Sequence, residues 1–484
     1  MDYNAHKSDT ISGIKWNILS QLLNQGVTFV VAIILMRLVK PKEFGLLGMV
    51  TVFSGFLSVF KDFGLGSSLV HKREIDELDK HTLFWAILLF GSLLTGLFAL
   101  LGKPLAAFYG EPRLVGITTA LSFVFVVEST GSLQLSLLQK GLHFKKIFSA
   151  SISGVVASGI IATYMAYSGF GVWALVVQQL VNVTVVSVVL WIASDYFPAA
   201  RFSMERLRGH LDYSLSLVGN NSLNYWARNA DNFLIGKFLG AEPLGFYSRA
   251  YSIMMIPVGR ISGTIGSVMF PSFSIIQNET ERIKYIYLKM SRVIAFVTFP
   301  LMGTLIVIAD PFVRVVLGPK WLPMVPVLRV LAIIGSIQSI GTLVGTIFLS
   351  QGATKLAFKL TAFASATYIA AFIIGSRFSI VAVALAYLIA VLVMLYPQFH
   401  LAGRLIGCSA KEMLLNVLPE AVATVFLILA GVLVCHTVPE NLQGLRLVLG
   451  ISEFGIGWFL ASRLFNQRTM KELLSLIKEL RFSL

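Results

Sequence analysis

The chain has 484 residues, of which 56% are hydrophobic and only 13% charged, with a formal net charge of +15. A soluble domain carries about 25% charged residues, so this composition excludes an ordinary soluble fold. The positive balance matches the lysine- and arginine-rich cytoplasmic loops of a membrane protein, and no basic block with interleaved aromatics points to a nucleic-acid partner.

The opening stretch, MDYNAHKSDTISGIKW, is polar and lacks the apolar core and small-residue cleavage site of a signal peptide. The first helix is therefore expected to insert uncleaved. Apolar runs close to the ~20 residues that cross a ~30 Å hydrocarbon core recur from end to end. They predict an all-α polytopic membrane protein with about fourteen spans. These fall near 14–38, 44–61, 83–101, 114–138, 147–168, 170–193, 213–237, 244–272, 287–309, 324–350, 356–375, 378–400, 413–435 and 444–464. A last stretch, 470–480, sets Leu473, Leu474, Ile477 and Leu480 on one side and charged residues around them. That pattern suits a short amphipathic helix on the membrane surface.

Lysine and arginine concentrate in alternate loops, at Lys72 and Arg73, at Lys140, Lys145 and Lys146, and at Arg201, Arg206 and Arg208. The positive-inside rule then puts both termini in the cytoplasm. Every loop on the other side is short, leaving no room for an extracytoplasmic catalytic domain. The two cysteines, Cys408 in a loop and Cys435 near a span end, predict neither a disulfide nor a metal site.

The two halves resemble each other. At an offset of about 200, MRLVKPKEFGLLGMV (36–50) aligns with GKFLGAEPLGFYSRA (236–250), matching Arg37 with Lys237 and Gly45 with Gly245. Gln21 pairs with Asn221 and Asn24 with Asn224; LLQKG (137–141) echoes FLSQG (348–352). An even number of spans separates the partners, so the repeats run parallel. The expected architecture is two pseudo-symmetric six-helix lobes, 1–200 and 201–405, around a central cavity. Two further helices and the surface helix follow in 406–484.

One span carries an unusual polar stripe. Asn220, Asn224, Arg228 and Asp231 are spaced 4, 4 and 3, so they share one face of a helix. An arginine or aspartate at mid-bilayer costs roughly 2.5–3.5 kcal/mol on insertion scales, so such residues face a bundle interior or a wet cavity. The competing reading is that Arg228 and Asp231, at i and i+3, pair and pin two helices together. Arg249 and Arg260 follow on the next span, with Pro257 available to kink it; either arginine could instead snorkel to an interface. The first half is polar but uncharged at the equivalent face: Asn17, Gln21, Asn24, Gln25 and Thr28. Glu128 is its main acidic residue, with Lys61 and Asp62 at the inner end of the second span.

Arginines hold phosphate through forked, charge-assisted hydrogen bonds, and amides with aromatics suit sugar hydroxyls and ring faces. The mixture favours an anionic, hydroxyl-rich substrate. Arg228, Asn224, Asn220, Arg249, Arg260, Asn24 and Gln21 are the expected cavity residues, and Asp231 and Glu128 the coupling candidates. The chain has no Walker loop, GxSxG, HExxH or zinc spacing, so no catalytic residue or bound cofactor is expected. Without an ATP site, transport would draw on a proton or sodium gradient or on the membrane potential.

Several stretches resemble the polysaccharide exporter branch of the multidrug/oligosaccharidyl-lipid/polysaccharide exporter superfamily. They are RLVKPKEFGLLGMV (37–50), FKDFGLGSSLVHKRE (60–74), LLQKGLHFKKI (137–147) and RNADNFLIGKFLGAEPLGFYSRAY (228–251). In the last, Asp231, Gly236, Gly240, Gly245, Tyr247 and Ala250 carry the likeness, which is closest to the colanic acid and O-antigen type. The resemblance implies a flippase in the bacterial inner membrane that moves undecaprenyl-pyrophosphate-linked oligosaccharides to the outer leaflet by alternating access. It also implies a place beside polysaccharide polymerase and chain-length machinery. Three alternatives stay open: a multidrug cation antiporter of the same superfamily, which needs acidic rather than basic cavity residues; a membrane polymerase or ligase, which needs a long outer loop; and a flippase for the peptidoglycan precursor, which would share the cationic lumen and fourteen spans but fits the quoted motifs less well.

Overall fold

The computed structural model describes residues 23–61, 64–72, 75–464, 469, 470 and 472, and among them the secondary structure is helical. The helices are α1 (Leu23–Leu38), α2 (Pro41–Ser58), α3 (Leu65–His71), α4 (Glu77–Leu100), α5 (Gly102–Tyr109), α6 (Leu114–Lys140), α7 (Phe144–Tyr167), α8 (Val172–Ala193) and α9 (Met204–Leu239). After these come α10 (Ala241–Pro257), α11 (Gly263–Ile275), α12 (Thr280–Phe312), α13 (Val325–Ser350), α14 (Thr354–Gly375), α15 (Ile380–Leu405), α16 (Ala410–Leu415), α17 (Leu418–Thr437) and α18 (Gln443–Leu464).

Each expected span coincides with a helix over its described residues, and 11 helical segments are long and apolar enough to cross a membrane. The other three, α1, α2 and α9, fall short in length or in hydropathy; α9 has 36 residues but carries the polar stripe. Starts and stops follow side-chain chemistry. Asp76, Ser203 and Ser379 cap α4, α9 and α15 by accepting a backbone N–H three residues on. Gly240, at φ +91°, ends α9 in a conformation that a side chain would resist. The surface helix expected at 470–480 lies almost wholly outside the described residues, as do Gln21, Asn17, Asp62 and Arg73.

Packing gathers the chain into two compact units, Met1–Gly245 and Phe246–Leu484. This division differs from the lobe boundary expected at 200–201. The reason is α9, which the repeat assigns to the second lobe but which packs on α2, α3 and α4.

In the first unit α4, α6 and α8 form a layer, with α7 against α8 and α2 against α6, α8 and α9. Small residues mark the crossings: a Cβ on Gly131 would sit 2.9 Å from the Ser187 hydroxyl, so α6 and α8 approach almost backbone to backbone. Close approach of this kind replaces the hydrophobic drive that lipid does not supply. In the second unit α12 is central, packing on α13, α17 and α18. It buries Tyr287, Ile294 and Phe299, and its Thr298 hydroxyl bonds the Ser339 hydroxyl of α13 at 2.8 Å.

Candidate functional site

The first unit holds most of the polar features that the sequence singled out, and one close helix crossing lies within it. Residues 41–45 begin α2, and their repeat partners 241–245 begin α10. A Cβ added to Gly45 would overlap the carbonyl of Ala241, and one added to Gly245 would overlap the carbonyl of Pro41. The contact is reciprocal at an offset of 200, so the two copies of the repeat touch through the same pair of positions. Each glycine is there because backbone meets backbone and no side chain fits.

Charges fix the helix ends around this crossing. Glu43 accepts from Arg113 at 3.1 Å and from the backbone N–H of Val172 at 3.2 Å. Lys42 pairs with Glu111 at 3.1 Å. One turn of α2 thereby ties the starts of α6 and α8 to itself. The lysine and glutamate of the PKEFG segment are structural ties, a role that the sequence reading did not assign.

Helix α9 has two chemically distinct faces. One is aromatic: Trp226 and Phe233 meet Phe53 of α2 at 6.4 and 5.9 Å, and Phe233 stacks on Phe108 of α5 at 5.4 Å. Tyr225 sits on the same face, its hydroxyl donating to the carbonyl of Val52 at 2.7 Å. At about 100° per residue, Arg228 and Asp231 lie about 140–160° from Trp226 and Phe233, with Arg228 about 60° from Tyr225. Arg228 is exposed and, among the described residues, makes no hydrogen bond or ion pair. Asp231 is 2% exposed, with one carboxylate oxygen accepting from the Asn232 N–H at 2.7 Å. The two therefore do not form the i, i+3 pair, and Arg228 is not neutralised by its neighbour. Asn220 and Asn224 lie in the same helix, with side chains outside those described.

Two further residues of the first unit find partners. The Asn24 amide of α1 donates to the Ser151 hydroxyl of α7. Glu128 of α6 pairs with Lys61, just past the end of α2, at 3.2 Å, each side chain 33% exposed. The sequence named both charges but gave no sign that they meet. Lys237, the repeat partner of Arg37, lies over the Phe108 ring at 4.2 Å and donates to the Phe108 carbonyl.

In the second unit, the kink expected at Pro257 is a π-helical turn, Val258–Ser262, that carries an exposed Arg260. Proline removes a backbone donor and its ring crowds the preceding turn, so a widened turn follows. Arg249, half-buried, lies before it on α10. The sequence reading passed over Glu420 of α17, which is fully buried and accepts from the Thr469 hydroxyl at 3.2 Å. Among the described residues no cluster of histidine, cysteine and carboxylate side chains could hold a metal ion.

Residues 34–326 match the model of the family described as "Polysaccharide biosynthesis protein". The chain is 27% identical over 418 residues to the lipopolysaccharide biosynthesis protein WzxC of Escherichia coli (strain K12), covering 85% of this chain and 84% of that one. It is 30% identical over 357 residues to the teichuronic acid biosynthesis protein TuaB of Bacillus subtilis (strain 168), covering 72% of each. Its fold is similar to that of the lipid II flippase MurJ in an inward closed conformation. The TM-score is 0.71 at 14% identity, over 92% of this chain and 98% of that one. With a family match across most of its helices and a relative at this identity, the chain is a multi-pass membrane protein that belongs to the polysaccharide biosynthesis protein family.

Proposed function

We propose that this protein is a flippase that carries lipid-linked oligosaccharide units across the bacterial inner membrane for surface polysaccharide synthesis. Arg228 is the observation that carries the reading. It is an exposed guanidinium without a partner among the described residues, on the side of α9 turned away from Trp226 and Phe233. An unpaired cation on a spanning helix is costly unless it meets an anion or water. A pyrophosphate supplies that anion and matches the forked geometry of arginine.

Both termini are cytoplasmic in this reading, and the substrate enters from the inner leaflet. Alternating access then exposes it to the outer leaflet, where polymerase and chain-length machinery would take it up. Each negative charge leaving an inside-negative cell gains about 2.3 kcal/mol per 100 mV, so the membrane potential favours export of a pyrophosphate. A proton or sodium gradient would add to that drive through Asp231 or Glu128, and Arg249 and Arg260 would add cationic contacts in the second unit. The basic bias of the intramembrane charges speaks against a multidrug cation antiporter, which needs acidic residues at its site.

The test is complementation of a strain lacking this gene. Arg228→Ala should reach the membrane at parental level and fail to restore surface polysaccharide; full restoration would overturn the reading.

A further inference from the structure

We infer that Tyr225 and Gly55 form a clamp that sets the rotation of α9 about its own axis and thereby positions Arg228. The inference rests on the substrate reading of Arg228 given above and names the residues that aim it.

The aromatic contacts between α9 and α2 do not by themselves select a rotation. Phe56 meets Tyr225 at 6.1 Å and Trp226 at 5.3 Å, and Phe53 meets Trp226 and Phe233. Contacts of this kind favour an edge-to-face geometry by only about 0.5–1.5 kcal/mol each and are less directional than a hydrogen bond. A directional interaction across this interface comes from Tyr225. The Tyr225 hydroxyl donates to the Val52 carbonyl at 2.7 Å and lies 3.3 Å from the Thr51 carbonyl. Those carbonyls are in the body of α2, where a side chain at position 55 would normally cover them. Position 55 is glycine, and an added Cβ would overlap the phenol oxygen. The missing side chain opens a notch in α2, and the tyrosine hydroxyl fills it. In an apolar setting a phenol without an acceptor is costly, so the notch fixes one setting of the helix.

Arg228 follows Tyr225 by three residues and shares its rigid turn of helix. At the ~6 Å outer radius of a helix, a rotation of about 30° displaces a side chain by about 3 Å. Charge-assisted bonds to phosphate hold over a window of a few tenths of an ångström, so that displacement breaks them. The clamp is thus a positioning device that never touches the substrate. Asn229, whose amide donates to the Tyr225 carbonyl at 2.9 Å, stiffens the same turn.

The experiment uses the full chain with Cys408 and Cys435 replaced by alanine and Arg228→Cys as a reporter. Its rate of reaction with a water-soluble methanethiosulfonate reports the setting of α9 without reference to transport. Export is measured separately in the Arg228 protein. Gly55→Ala should change the labelling rate and lower export by about tenfold, because the added methyl overlaps the Tyr225 phenol and displaces it from the Val52 carbonyl. Tyr225→Phe removes only the directional bond and should shift both by about two- to tenfold. In Gly55→Ala/Tyr225→Phe the lost hydroxyl removes the tightest overlap and leaves two ring carbons at 3.0 Å from the added methyl, so both readouts should return most of the way to the level of Tyr225→Phe alone. A role in stability alone would lower the melting temperature of each variant without moving the labelling rate. Unchanged labelling in Tyr225→Phe and Gly55→Ala overturns the clamp, and the Tyr225→Phe arm decides it should Gly55→Ala fail to fold. Export retained in Arg228→Ala overturns the substrate reading instead, whatever the labelling shows.

Discussion

Helices α1 and α9 open the two copies of the repeat, and they use the same register for different ends. In α1 the polar positions are spent on packing: Asn24 donates to Ser151 of α7, and Thr28 bonds back to the Asn24 carbonyl at 2.8 Å. In α9 the corresponding face carries Arg228, exposed and unpaired among the described residues. An amide is satisfied by one hydroxyl on a neighbouring helix. A guanidinium has five donors and a charge, and nothing described around Arg228 answers them. The two faces share a register in the sequence, and of the two only the one on α9 presents an open cation among the described residues.

The largest effect should come from breaking what the two copies still share. Gly45→Ala and Gly245→Ala each place a methyl into a backbone carbonyl of the other copy. Overpacking in a core costs about 1–3 kcal/mol where side chains can yield, and backbone yields less. Either variant should lose most of the folded protein recovered in detergent, seen as aggregation on size-exclusion chromatography and a lowered melting temperature. The pseudo-symmetry predicts losses of similar size, and a tolerant Gly245→Ala would show the crossing to be one-sided.

Next comes the asymmetry itself. Arg228→Ala should leave the melting temperature unchanged, since the side chain makes no described contact, yet cut export at least tenfold. Asp231→Ala should behave differently, losing export and also stability, because a carboxylate at 2% exposure is removed from a buried position. Asn24→Ala should cost only about 0.6 kcal/mol, the usual worth of an interhelical polar contact in a membrane protein, with export near parental. Equal export defects at Asn24 and Arg228 would remove the distinction drawn between α1 and α9.

A smaller effect is expected at the Lys61–Glu128 pair. Both side chains are one-third exposed, so each single neutralisation should cost no more than about 1 kcal/mol. The charge reversal Lys61→Glu/Glu128→Lys should recover most of the stability lost by either single reversal. If Glu128 also carries a coupling ion, the reversal will restore the melting temperature and not export, which separates the two roles in one protein.

Much of this arrangement was readable in the sequence because it is local. The 4, 4, 3 spacing fixed the stripe on α9, Pro257 announced the altered turn after it, and the 200-residue offset matched Gly45 with Gly245. What the sequence withheld is tertiary. Nothing in residues 41–61 says that α2 lies beside α6, so the meeting of Lys61 and Glu128 could not be foreseen. The spacing of Arg228 and Asp231 suits an ion pair as well as a shared lining; the structure shows no ion pair between them, and the lining is the proposal tested by Arg228→Ala. Tyr225 looked like one more aromatic in an apolar span, and its use depends on a missing side chain in another helix. The unit boundary differs from the lobe boundary for a similar reason, since the aromatic face of α9 has its partners in the first half of the chain.

The smallest predicted effect lies outside the spans, and it contrasts with the buried ties of the first unit. Glu412 of α16 pairs with Lys284 at 3.0 Å while remaining 43% exposed, and that hydrogen bond holds its carboxyl below the usual carboxylate range. A carboxyl depressed in the folded state contributes stability above its unfolded value of about 4.3 and loses it as the pH falls through the folded value. With this much exposure the contribution is a few tenths of a kcal/mol, about the worth of a surface pair. Glu412→Gln should therefore lower the melting temperature slightly at pH 7, with the difference from the parent vanishing once the pH has fallen far enough to protonate the carboxyl in the folded state. The neighbouring Cys408 thiol is pushed up to about 12, first by burial and then by the Glu412 charge. Because burial leads, Cys408 should resist maleimide at neutral pH in Glu412→Gln as it does in the parent. Rapid labelling in the variant would instead show that the carboxylate, not the packing around Cys408, keeps the thiol protonated.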